Sequence, residues 1–265
     1  MYAYLAYLFV GEIPAFSANP LFSIQLESVL LVLLYLYSSY LNWGASKATK
    51  FLVGTSITSY AIEFIGLKTG YPFGRYSYTS ALSPFIGPVP LFIPFLWCAL
   101  GYFCLQAGGA SVVVPASLLT FLDMSFDPIF SRNLWHWGPT IGFEYAGVPI
   151  LNFIGWFISA IVIFTLFRIV NADSRKSSGK SIFYSRGSIE GVGFYFLFGV
   201  TTILSNLNAN LPKVAAVSTI LYVVSGALLA WSVTRKTSVH PSPTTGATSA
   251  LALPSPRSRD LEALQ

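Results

Sequence analysis

Seven apolar runs, at about 22–42, 51–67, 89–107, 110–124, 147–168, 189–205 and 214–234, dominate this chain. Most approach the ~20 residues that a helix needs to cross a bilayer, and 110–124 is shorter. In lipid every backbone polar group must be satisfied internally, so only helices or a closed barrel can span. A barrel would alternate apolar and polar residues in short strands, and these runs are continuously apolar. The expected fold is therefore all-α, a polytopic transmembrane helix bundle with about seven or eight spans. The eighth would be residues 1–17, either a short span or an interfacial segment. That stretch has no basic start and carries Glu12, which argues against a cleaved leader. Run 110–124 could end deep in the bundle, where irregular backbone is tolerated if protein surrounds it. No internal repeat stands out.

Charge agrees with this reading. Charged residues make up 9% of the 265 positions, against about 25% in an ordinary soluble domain. So few charges cannot cover a soluble surface, which excludes a cytosolic enzyme and a disordered chain. The net charge of +5 does not indicate nucleic acid, because the basic residues lie in loops and the tail. Loops 43–50 and 169–188 and the tail hold Lys47, Lys50, Arg175, Lys176, Lys180, Arg186, Arg235 and Lys236, with Arg168 at the membrane edge. The opposite loops, 68–88, 125–146 and 206–213, hold Lys68, Arg75, Arg132 and Lys213. The positive-inside rule puts the first set in the cytoplasm and loops 68–88 and 125–146 outside it. Residues 1–236 read as one transmembrane domain. The Ser-, Thr- and Pro-rich residues 237–265 read as a disordered cytoplasmic tail.

The two long loops on the outer side are dense in Gly, Pro, aromatics and acids. Four carboxylates gather at that end of the runs: Glu63, Asp123, Asp127 and Glu144. An acid inside the bilayer is costly and usually functional. Asp123 and Asp127 are four apart and share a helix face if the helix continues through them. Pro128 disfavours helical geometry at Asp127, so a turn-capping role is the alternative. Two carboxylates in one low-dielectric site cannot both ionise cheaply, which leaves a proton donor at neutral pH. Glu12, Glu27 and Glu190 lie near run ends and read as solvated. His136, between Trp135 and Trp137, reads as an interfacial residue. Those tryptophans, with Tyr76 and Tyr78, form either an interface belt or the wall of a groove suited to a cation. Cys98 and Cys104 share one apolar run and read as free thiols facing lipid or core. No metal-ligand spacing occurs, and no metal or cofactor is expected. Gly66 and Gly70 could form a close-packing stripe.

The blocks around these residues resemble the membrane carotenoid hydratases. Glu63, Gly66, Thr69-Gly70, Pro72-Phe73-Gly74, Tyr76 and Tyr78 are similar to that family's first signature. Val89-Pro90, with Pro94 and Trp97, resembles the next block. Leu122-Asp123 with Asp127-Pro128 resembles the aspartate motif. Trp135, Trp137, Gly147-Val148-Pro149, Asn152 and Gly155-Trp156 resemble the last. Ala146 departs from the pattern, which would have a second aromatic beside Tyr145. The resemblance covers about residues 60–160. It implies cofactor-free addition of water to the terminal isopropylidene double bond of a linear carotenoid, giving a tertiary alcohol. Asp123, Asp127 and Glu63 would be the catalytic acids. Tyr76, Tyr78, Trp97, Trp135, Trp137, Tyr145, Asn152 and Trp156 would hold the substrate. The implied partners are a lipid-soluble carotenoid, membrane lipid and other enzymes of carotenoid biosynthesis. Two other classes fit the acids alone: a proton-coupled transporter or channel, and a membrane prenyltransferase whose Asp123 and Asp127 hold Mg²⁺ on a diphosphate.

Overall fold

The computed structural model describes residues 20–109, 111–139, 142–171 and 186–239. Among the described residues the fold is an all-α bundle of six helices: α1 (Pro20–Thr69), α2 (Phe92–Gly108), α3 (Val113–Phe130), α4 (Ile150–Val170), α5 (Arg186–Asn208) and α6 (Pro212–Val239). The five helices other than α2 are long and apolar enough to cross a membrane, which makes this a membrane protein; α2 is apolar but has 17 residues. Residues 1–17 and most of the expected tail lie outside the described residues. The boundary expected at 236 falls inside α6, which runs to Val239.

α1 is two arms. Gly44 has φ 75° and ψ 165°, a conformation that only glycine adopts cheaply. The chain folds back there: the rings of Tyr35 and Phe51 lie 6.2 Å apart, where a continuous helix would separate those residues by about 24 Å. Trp43, next to the reversal, packs on Phe51 at 5.3 Å and stacks on Phe167 of α4 at 5.0 Å. The runs expected at 22–42 and 51–67 are thus antiparallel neighbours.

Helix α3 is longer than its apolar run suggested. It continues through Asp127 and Pro128 to Phe130. Pro128 occupies the last turn, where its missing N–H removes one hydrogen bond close to where the helix ends anyway. The loop expected from 125 therefore begins after Phe130. Cys98 and Cys104 are both buried in α2, on its protein-facing side.

The segments between α1 and α2, and between α3 and α4, contain short strands. β1 (Tyr76–Tyr78), β2 (Phe85–Ile86) and β3 (Val89–Pro90) lie in the first segment. β4 (Trp135–Trp137), β5 (Glu144–Tyr145) and β6 (Val148–Pro149) lie in the second. Each strand of the second set begins and ends 59 positions after its counterpart in the first: Tyr76 and Trp135, Phe85 and Glu144, Val89 and Val148. The same offset relates Trp97 to Trp156, whose rings stack at 4.1 Å. β2 pairs with β3 and β5 with β6, each as a hairpin leading into a helix. β1 pairs with β4 so that Tyr76 faces Trp137, Ser77 faces His136 and Tyr78 faces Trp135. That register is self-complementary, the signature of a two-fold relation. The absence of a repeat, as read from sequence, is corrected: two units of strand, hairpin and helix face each other across a pseudo-two-fold axis.

Candidate functional site

The β1–β4 ribbon joins the two long loops at one end of the bundle. Strand alternation turns Tyr76, Tyr78, Trp135 and Trp137 to one face and exposes Ser77 and His136 on the other. The four rings pack together, with Tyr76 5.4 Å from Trp137 and Tyr78 6.2 Å from Trp135. They roof a cavity whose other walls come from α1 to α5. Leu31, Leu96, Leu100, Phe126 and Phe198 supply apolar surface.

Three nearly inaccessible carboxylates line this cavity, beside half-buried Glu27: Glu63 is 4% exposed, Asp123 1% and Asp127 1%. Glu63, from the second arm of α1, accepts three hydrogen bonds. The hydroxyls of Tyr76 and Tyr78 donate to Oε2 at 2.6 and 2.9 Å, and Trp97 Nε1 donates to Oε1 at 3.1 Å. Asp123 and Asp127 stand one turn apart on α3. Asn152 of α4 donates from one amide nitrogen to Oδ2 of both, at 2.8 Å each. Trp135 Nε1 donates to Asp127 Oδ1 at 2.9 Å. The phenols of Tyr76 and Tyr78 are pushed up, first by burial and then by the charge of Glu63. Both therefore remain donors through the ordinary pH range.

Local sequence builds this geometry. Gly70, with φ 81°, ends α1, and its N–H bonds to Gly66 O at 2.7 Å. The chain then turns so that Phe73 is buried between two helices. A Cβ on Gly66 would lie 3.0 Å from the Phe73 ring, and one on Gly155 of α4 2.7 Å from Pro72 O. The glycines thus make room for the loop; Gly66 and Gly70 are not a stripe between helices.

Ten of the eleven residues singled out from sequence line this cavity: Glu63, Tyr76, Tyr78, Trp97, Asp123, Asp127, Trp135, Trp137, Asn152 and Trp156. Tyr145 does not. It packs on Phe153 at 5.9 Å, and burial pushes its phenol up to about 12. Glu144 is exposed on β5. Two acids read as solvated have other settings. Glu27 lines the cavity, and half-buried Glu190 accepts from Ser38 at 2.7 Å and Asn42 at 2.9 Å. Sequence reading missed Phe73, Phe126 and Phe198. Phe73 stood inside a quoted motif, but nothing set Phe126 and Phe198 apart from the many phenylalanines of the spans.

A family model described as "Carotenoid biosynthesis protein" matches residues 21–225. The bisanhydrobacterioruberin hydratase of Haloarcula japonica is 31% identical over 129 residues, which cover 44% of this chain and 43% of that protein. The chain therefore aligns with less than half of that relative's length. No solved structure matches. A match over residues 21–225 takes in the three acids, their roof and the bundle as far as the middle of α6, and this chain belongs to the carotenoid biosynthesis protein family.

Proposed function

We propose that this chain is a carotenoid hydratase. It adds water to the terminal isopropylidene double bond, at the 1′,2′ position, of a linear carotenoid end. The observation that carries this reading is the meeting of three buried carboxylates with an aromatic roof inside an apolar cavity. A named hydratase among its relatives supports it. An alkene end is apolar and needs such a cavity. Its hydration needs a proton donor and a proton acceptor, and carboxyl groups do both jobs without metal or cofactor.

The reaction balances simply. A carboxylic proton adds to the less substituted alkene carbon, and the π electrons become the new C–H bond. The positive charge falls on the tertiary carbon, where ring faces and carboxylates stabilise it. The oxygen of water closes on that carbon. A carboxylate takes the surplus proton, which restores the acid.

A prenyltransferase reading is weaker. It needs a cation between Asp123 and Asp127, where the Asn152 amide already directs its hydrogens. A relay for transport would step across the bilayer, whereas these acids gather at one end. By the basic excess of loop 169–188, the ribbon faces the extracytoplasmic side of a multi-pass cell membrane protein. Reporter fusions placing loop 169–188 outside would reverse that orientation. The test of activity is expression in a host that accumulates linear carotenoids, with pigments read by mass spectrometry. One water gained per modified end is expected. Unchanged pigments across linear carotenoids would overturn the reading.

A further inference from the structure

We propose that Asp123 is the proton donor, with the transferable proton on Oδ1, and that Asn152 is the positioning residue that keeps it there. The proposal rests on the hydratase reading for what receives the proton, but not for where the proton sits.

Three of the carboxylates that line the cavity are almost wholly buried, Glu63, Asp123 and Asp127, and they present six oxygens; Glu27, the fourth, is only half-buried. Glu63 Oε1 meets the Trp97 N–H, and Oε2 meets two phenols. Asp127 Oδ1 meets the Trp135 N–H. Oδ2 of each aspartate meets the Asn152 amide. Among the described residues, Asp123 Oδ1 alone is met by no donor. It is not sealed in the protein either: Asp123 lines the cavity, and this oxygen is not one of the buried polar atoms left without a partner. A carboxylate can accept at every lone pair, but a protonated oxygen must point its hydrogen at something other than another hydrogen. Each of the other five oxygens already accepts from an N–H or a phenol, and a proton there would weaken it as an acceptor. On Asp123 Oδ1 the proton points into the cavity.

The duplication supplies an independent argument. Tyr76, Tyr78 and Trp97 correspond to Trp135, Trp137 and Trp156 at the 59-residue offset. In the first unit all three donate to one carboxylate. In the second, Trp135 donates to Asp127, while Trp137 Nε1 is buried without a partner. The counterpart of Asn152 is Ile93, so the amide strap belongs to the second unit alone. One frame thus holds a carboxylate saturated with donors and a carboxyl left open. The saturated one suits a lasting anion beside the cation, and the open one suits the acid. Asn152 directs its amide at both aspartates, so the Oδ2 atom of each already has a donor.

Infrared spectra of the full chain in lipid nanodiscs at neutral pH test this directly. A neutral carboxylic acid has its own carbonyl stretch, which shifts in heavy water. We expect the band in the wild type, in Asp127→Asn and in Glu63→Gln, and its loss in Asp123→Asn. Asn152→Ala should shift the band and lower kcat with little change in KM. A substrate-binding Asn152 would instead raise KM and leave the band in place. A wild type without the band overturns the proposal, as does a band that survives Asp123→Asn. Loss of the band in Glu63→Gln or Asp127→Asn overturns it even if Asp123→Asn does not fold. A band that behaves as expected, in a protein that hydrates no linear carotenoid, would sink the hydratase reading and leave the proton assignment standing.

Discussion

The segments 76–97 and 135–156 place their strands at identical spacings, yet they treat their carboxylates differently. The first surrounds Glu63 with two phenols and an indole. The second carries indoles at all three positions and has two acids in front of them, joined by an amide. A phenol is a slender donor on a long lever, and it reaches an acid on a neighbouring helix. An indole at the same position fills more volume and reaches fewer acceptors. The comparison shows how a duplicated frame can separate an anion from an acid without a metal, by changing how many donors each receives.

The largest effect is expected from the acid half. Asp127→Asn should lower hydration by about 10²–10⁴-fold, the usual range for an acid–base group, while the protein inserts normally. Asn keeps the size of the side chain and can still hydrogen-bond, so packing changes little. Pigment conversion per unit of inserted protein is the measurement. Near-normal conversion would mean that Asp127 merely caps the end of α3, and the acid half would shrink to Asp123.

Next comes the fit between the halves. The counterpart of Gly155 is Leu96, so the second unit alone yields space to the Pro72–Phe73 turn. Gly155→Ala would bring a Cβ within 2.8 Å of the Phe73 ring. Overpacking of this kind costs about 1–3 kcal/mol. The loss should appear in thermal unfolding, together with reduced hydration as the turn lifts away from Glu63. Wild-type stability in this variant would show that the turn moves freely and does not hold the anion half in place.

These comparisons also show what could be read without coordinates. The spans were legible because a run of apolar residues has one solution in lipid. Glu63, Asp123 and Asp127 were legible because acids are expensive there. The reversal between the runs at 22–42 and 51–67 was legible as the loop at 43–50, but its pivot at Gly44 was not, since a glycine permits a left-handed φ without requiring it. Nor was the helical course through Pro128, because the proline bias at Asp127 is weak beside the packing of α3 against α4, α5 and α6. The duplication left a trace in sequence: Val89-Pro90 precedes Trp97 by the same interval at which Val148-Pro149 precedes Trp156. It stayed hidden because tyrosines answer to tryptophans elsewhere, so pattern matching finds little identity. Tyr145 was misplaced for a related reason. Its counterpart is Ile86, half-exposed to exposed hairpin surface in both units, and only the fold separates such an aromatic from those of the roof.

A smaller effect tests the donors around Glu63. Tyr76 and Tyr78 hold their protons more tightly in the folded chain than in the unfolded one, where a phenol titrates near 10. Above that pH the unfolded chain releases protons that the folded chain keeps. The stability these phenols lend is therefore complete below about pH 10 and declines as pH rises further. Tyr78→Phe should flatten the decline and cost about 1 kcal/mol at neutral pH for the lost hydrogen bond. Unfolding curves on both sides of pH 10 measure both. A decline as steep as that of the wild type would remove Tyr78 from the account.

The smallest effect belongs to the outward side of the ribbon, where the two units meet at Ser77 and His136. These residues sit at the centre of the pseudo-two-fold and between the roof aromatics in sequence. Strand alternation nevertheless turns both side chains away from the cavity, and both are exposed. The ladder between β1 and β4 is made by backbone groups, which alanine retains. His136→Ala and Ser77→Ala should therefore change hydration by less than about twofold, since surface substitutions away from buried features usually stay within ±0.5 kcal/mol. Histidine is the most frequent general acid and base in enzymes, so His136 is the natural rival to the carboxylates as proton donor. The pH profile of hydration decides between them. If His136→Ala leaves the profile unchanged, the proton comes from below the ribbon. If it abolishes hydration in a protein that still inserts, the ribbon carries chemistry on its open face and the carboxylate assignment falls with it.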